Sequence, residues 1–145
     1  MTAEIDIKSN LSKVYANIER AAKRSGRDVN DITLIAVSKT KPVSMIKECI
    51  ECGTVIFGEN KAQEMASKIS ELHDDNLNWH FIGHLQRNKV KYVVGNACMI
   101  HSVDSVRLAE AINAEAVKKG VICDILIEVN IACEDTKFGI KAEDI

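Results

Sequence analysis

Residues 32–42, ITLIAVSKTKP, carry a lysine at the point where an apolar run gives way to a turn. A strand alternates its side chains, so Thr33, Ile35, Val37 and Lys39 share one face and Leu34, Ala36 and Ser38 the other. An amine whose stem lies among apolar neighbours loses hydration of its charged form. That lowers its pKa and frees the neutral amine to attack a carbonyl carbon, which is Schiff-base chemistry. The same residue also suits a plainer role, a strand-end lysine with a packed stem and a head in water. Lys41 is a second amine close by. Alternation puts it in the turn beside Pro42, which favours Lys39 as the nucleophile.

Other residues with chemical capacity have a less telling placement. Cys49 and Cys52, in CIEC, have the spacing of half a zinc or redox site, but they fall late in an amphipathic helix with Cys49 on its apolar stripe. No second pair stands at ligand spacing, so packing is the expected role and no metal site is expected. His80 and His84 are four apart, yet the intervening FIG reads as strand and turn, so their rings need not converge. His80 and His101 read as strand histidines, whereas His84 follows its strand, open to a ligand and without an assigned role. Arg87, Lys89 and Lys91 form a local basic patch with the character of a solvated helix face. Lys137, in DTKFG, lies in a turn beyond the last strand, and Glu59 is either a proton-orienting group or a solvated loop carboxylate.

The elements that position these residues follow from periodicity. Leu11, Val14, Tyr15, Ile18, Ala21 and Ala22 recur at helical spacing over about residues 5–25, with Gly26 as the stop. Residues 32–38 form a strand apolar on both faces, as in a parallel sheet. Pro42 suits the first turn of a helix bearing Met45, Ile46, Cys49 and Ile50, which ends at Gly53. TVIFGE is a second strand; Asn60, with Gln63 three residues on, is the expected cap of a helix carrying Ala62, Met65, Ala66, Ile69 and Leu72. NWHFIG, CMIHSV and VICDILIEVN make three more strands, with helices expected over 86–94 and 105–119 between them. Strand starts recur about every 20 to 25 residues, the cadence of βα units with right-handed crossovers.

Such units build either an open doubly wound sheet or the opening portion of an eight-stranded barrel. In both, ligands sit at the strands' C-terminal ends. Lys39, Glu59 with Asn60, Gly83 with His84, Asp104 and Asn130 all fall there.

Composition removes several function classes. The 145 residues are 46% hydrophobic and 28% charged, enough for one domain with a core. Nineteen basic against twenty-one acidic side chains, without runs, give no field suited to nucleic acid. No apolar run approaches the roughly 18 residues of a membrane span, and MTAEIDIKSN has no secretory pattern. Five cysteines, an odd number inside regular elements, suit reduced thiols in a cytoplasmic protein rather than a disulfide framework.

Five strings, LIAVSKTKP, FGENKAQE, WHFIGHLQRNK, HSVDS and EVNIACEDTKFGI, occur in this order over nearly the whole chain. Together they resemble the pyridoxal phosphate homeostasis protein family, whose fold is similar to the N-terminal domain of alanine racemase. The resemblance implies an α/β fold of (β/α) TIM-barrel type. Residues 1–145 would be a single domain, an incomplete barrel of about five parallel strands with helices outside, matching the N-terminal part of the family's barrel. It implies that Lys39 holds pyridoxal 5'-phosphate as a Schiff base and that Asn60, Ile82 and Gly83 lie near the cofactor. Family members continue through further βα units whose serine, glycine and arginine groups hold the cofactor phosphate. Those strands and loops are absent from this sequence, so the cofactor is expected to depend here on the covalent bond and on ring contacts.

The implied function is intracellular pyridoxal phosphate homeostasis: a non-catalytic carrier of the cofactor, with apo-enzymes as its clients. One alternative is a racemase-like or Schiff-base aldolase-type enzyme using the same lysine. Another is a truncated interaction module that does not bind the cofactor by itself, because an incomplete barrel exposes two sheet edges and an apolar face that favour self-association.

Overall fold

The computed structural model describes residues 6–134 and 136–145. Five parallel strands form one sheet: β1 (Ala36–Val37), β2 (Ile56–Glu59), β3 (Asn78–Phe81), β4 (Met99–Val103) and β5 (Asp124–Ile127). They lie side by side in chain order. That order winds always in one direction, as a barrel does, and excludes the doubly wound alternative, in which the order reverses at a switch point.

Among the described residues five α-helices accompany the sheet: α1 (Ile7–Ser25), α2 (Val43–Glu51), α3 (Ala62–Leu72), α4 (Val90–Val93), led by a 3-10 turn at Arg87–Lys89, and α5 (Val106–Lys119). Capping explains several of their limits. Gly26 and Gly120 take left-handed conformations at the C-termini of α1 and α5, with φ of 69° and 66°, and their N–H groups close the last turns. Ser105 caps α5 by accepting from the Leu108 N–H.

The core lies between the sheet and these helices. Phe57, Trp79, Phe81 and Ile100 from the strands meet Ile46, Met65, Val93 and Leu108 from the helices in one cluster. The Phe57 and Trp79 rings sit 5.5 Å apart on neighbouring strands. The alternate residues occupy the opposite face, where Val37, Gly58, His80 and Met99 follow one another across β1 to β4. That face is the more open one: Val37 is 50% exposed.

Three local expectations are corrected. The strand expected over 32–38 pairs only at Ala36 and Val37, opposite Phe57 and Gly58; as an outer strand it has β2 alone as neighbour. Pro42 is not in the first turn of α2 but caps it, extended at φ −69° and ψ 156°, its carbonyl accepting from the Met45 N–H. Asn60 does not cap α3; extended Lys61 holds that position without a side-chain bond.

Candidate functional site

Because the strands are parallel, their C-terminal ends lie together, and each is followed by a residue of chemical interest. Lys39 follows β1, Asn60 follows β2, Ile82 and Gly83 follow β3, and Asp104 follows β4. The loop beyond β5 folds back over the same end. Its Phe138 ring stacks on His84 with centroids 3.7 Å apart and planes 12° from parallel. His84 Nδ1 also faces Asp104 Oδ2 at 3.2 Å, so this ring is oriented by the fourth strand end and covered by the fifth. Lys137, next to Phe138, is exposed.

Asn60 and Gly83 are brought into direct contact, and Ile82 is bonded to the residue before Asn60. The Ile82 N–H donates to the Glu59 carbonyl at 2.9 Å. A Cβ on Gly83 would lie 2.6 Å from Asn60 Cα and 2.8 Å from its carbonyl carbon, so only glycine lets the two loops approach. The Gly83 carbonyl is in turn bonded by the Ser102 hydroxyl of β4. Gly58 plays a similar part on the open face: Ile35 Cγ2 and Ile82 Cδ1 come within 2.9 and 3.1 Å of where its Cβ would stand, making an apolar floor beside Val37. Asn60 Oδ1 is buried without a hydrogen-bond partner among the described residues, an acceptor left ready for a donor.

Glu59 is not the solvated loop carboxylate that was one of its two sequence readings. It is fully buried, at 0% exposure, and its Oε1 accepts from Lys68 Nζ and from Ser38 Oγ, both at 2.6 Å. Lys68, on α3, also donates to the Ser38 carbonyl at 2.8 Å and to Glu64 Oε1 at 2.7 Å. Glu64 Oε1 accepts from the Thr40 N–H at 2.6 Å. The hydrogen bond from Lys68 above all holds the Glu64 carboxyl below its ordinary range.

Lys39 stands within this network and takes no part in it: the bonds end on Ser38 and Thr40, and Lys39 is exposed. The sequence argument expected a desolvated amine. Lys39 is instead exposed, in the turn beyond the two residues of β1, where strand alternation no longer sets its direction. Ser38, Glu64 and Lys68 escaped sequence reasoning. One signal for Lys68 was present: it lies three residues after Met65 and one before Ile69, a charge on the apolar stripe of α3 and at i+4 from Glu64.

The remaining candidates separate cleanly. His80 Nδ1 and His101 Nε2 meet at 2.8 Å across β3 and β4. Burial lowers the pKa of both, with the neighbouring His101 adding to the effect on His80. Cys49 packs against the core, and its thiol is pushed up chiefly by burial, then by Cys52 and Glu48, so it is a poor thiolate. Lys89 and Lys91 lie over the Tyr92 ring at 5.8 and 5.0 Å, and Arg87 is exposed, as a solvated helix surface requires. Among the described residues no group of three or more His, Cys, Asp or Glu side chains is placed to hold a metal ion, and no helix is long and apolar enough to cross a membrane.

No family model matches the chain. Individual proteins do. The chain is 44% identical over 135 residues to the pyridoxal phosphate homeostasis protein of Aquifex aeolicus, a match covering 93% of this chain and 59% of that protein. It is 42% identical over 143 residues to the protein of the same name from Escherichia coli K12, covering 97% and 61%. Among solved structures, PipY of Synechococcus elongatus without pyridoxal phosphate superposes with a TM-score of 0.76 at 36% identity, over 88% of this chain and 60% of that one. PipY with pyridoxal phosphate bound superposes at 0.72, over 88% and 59%. By sequence and by fold the chain is therefore a relative of the pyridoxal phosphate homeostasis proteins, spanning about three-fifths of their length.

Proposed function

We propose that this chain binds pyridoxal 5'-phosphate at the C-terminal end of its sheet, with Lys39 as the covalent anchor, and that it holds the cofactor rather than turning over an amino acid. The observation that carries the reading is the turn at Lys39: the residues on either side are tied to α3 and β2, while Lys39 itself, exposed just beyond the end of β1, makes no bond in that network. The naming of the relatives and the cofactor-bound neighbour support it.

The residues present fit the group. Asn60 Oδ1 offers a buried acceptor without a partner, suited to a ring hydroxyl or protonated ring nitrogen. Gly83, close against Asn60, keeps the surface there free of a side chain, and Ile82 with Ile35 supplies apolar contact. The cofactor, when bound, supplies an aldehyde and a conjugated ring able to take up electrons. Lys39 would be the residue that holds it, its amine being the nucleophile able to condense with that aldehyde.

Turnover of an amino acid needs a second base and a cation to clamp the carboxylate. Lys68 is already committed to three acceptors, and His84 is held between Asp104 and Phe138. This favours the carrier over a racemase or aldolase. A carrier serves apo-enzyme clients in the cytoplasm, a reducing compartment suited to the five free thiols.

The test combines binding with turnover. Equilibrium dialysis against pyridoxal 5'-phosphate is expected to show retention that Lys39→Ala loses by at least about tenfold. L-alanine in deuterated water, followed by NMR, is expected to keep its α-proton. Retention unchanged in Lys39→Ala contradicts the anchor, and α-proton exchange contradicts the carrier.

A further inference from the structure

The turn that carries Lys39 is held from outside itself. Ser38 is bonded through its hydroxyl to Glu59 and through its carbonyl to Lys68. Lys41 N–H returns to the Ser38 carbonyl at 3.0 Å. Between them Thr40 has φ 62°, the left-handed region, which a β-branched residue keeps only under constraint. The constraint is visible: the Thr40 N–H is taken by Glu64 Oε1, which Lys68 holds in turn. Lys68 is almost wholly enclosed, its side chain 7% exposed. α3 therefore reaches the backbone immediately before and immediately after Lys39, and its bonds to the turn end there.

We propose that Lys68 and Glu64 are positioning residues for Lys39, fixing the turn so that the amine is directed to the strand ends and Lys41 is not. The inference rests on Lys39 being the anchoring amine. With Ser38 and Thr40 fixed, only the side-chain torsions of Lys39 remain to be ordered when a ligand binds, which lowers the entropic cost of the bond. If Thr40 is released, its φ relaxes to negative values and the segment bearing Lys39 and Lys41 swings relative to β2. Glu64 is ionised throughout the neutral range, since Lys68 keeps its pKa low, so the tether does not depend on pH there.

Glu64 is the residue to vary, because it is partly exposed and its loss leaves the buried Lys68–Glu59 pair in place. Glu64→Ala removes the acceptor for Thr40; Glu64→Gln keeps one. Each form is incubated with pyridoxal 5'-phosphate, reduced with borohydride and digested, and the adduct on Lys39 is compared with that on Lys41 by mass spectrometry. Amide hydrogen exchange at Thr40 and the thermal midpoint are read on the same samples without cofactor.

The Lys39 to Lys41 ratio is expected to fall about tenfold in Glu64→Ala and to be retained in Glu64→Gln. Thr40 exchange should accelerate in the alanine form only. A Lys39 adduct in the wild type with an unchanged ratio in Glu64→Ala overturns the positioning role and leaves the anchor standing. Wild type without a Lys39 adduct overturns the anchor, and the inference with it. A lowered thermal midpoint with an unchanged ratio assigns Glu64 to stability alone and also overturns the proposal.

Discussion

A methyl group added at Gly83 has no room, because the backbone of Asn60 already occupies the position. Gly83→Ala is therefore expected to destabilise the fold by about 1–3 kcal/mol, measured by urea unfolding, as the loops after β2 and β3 are forced apart. A wild-type unfolding midpoint would show that the loops are not in contact. The sequence placed Gly83 at a strand end but carried no sign of what lies against it, since close approach depends on another loop. The place of Lys39 after β1 was legible because an apolar run that breaks into a turn is a local feature. Its exposure was not, because that depends on parts of the chain distant in sequence. Glu59 was misplaced for the same reason: its partners Lys68 and Ser38 are 9 and 21 residues away.

Elements were read more easily than their ends. The βα cadence announced five strands, and they pair in chain order. The outer strand β1 proved shorter than its apolar run, and α3 starts after Lys61 rather than at an Asn60 cap, since pairing and burial override local capping preference. The contact of β3 with β4 through His80 and His101 has a consequence for pH. Burial lowers both pKa values, so the unfolded chain takes up protons more readily than the folded one. The stability this neutral pair contributes is complete above the ordinary value of 6.5 and is lost as pH falls through the lowered folded values. A second proton also removes the acceptor of the N–H···N bond. The urea midpoint is expected to fall between about pH 7.5 and pH 5.5, and to fall less in the double variant His80→Gln, His101→Gln. An equal fall in the double variant would remove the pair from the explanation.

For the chain taken together, the strand ends matter most, since residues far apart in sequence converge there. Asn60 meets Gly83, Ser102 meets Gly83, His84 meets Asp104 and Phe138, and the turn bearing Lys39 is fastened to α3. Five ordered motifs announced the relatives that the comparisons found, with matches over more than nine-tenths of the chain. No motif announced the fastening of the turn, because it is spread over Ser38 after β1, Glu59 on β2, and Glu64 and Lys68 on α3. The claim on which the functional account depends is that the Lys39 amine forms the bond to the cofactor. Borohydride reduction after incubation with pyridoxal 5'-phosphate, followed by peptide mapping, tests it most directly. The account expects the added mass on Lys39 and its disappearance in Lys39→Ala; a label confined to Lys41, or one that survives in Lys39→Ala, would contradict it.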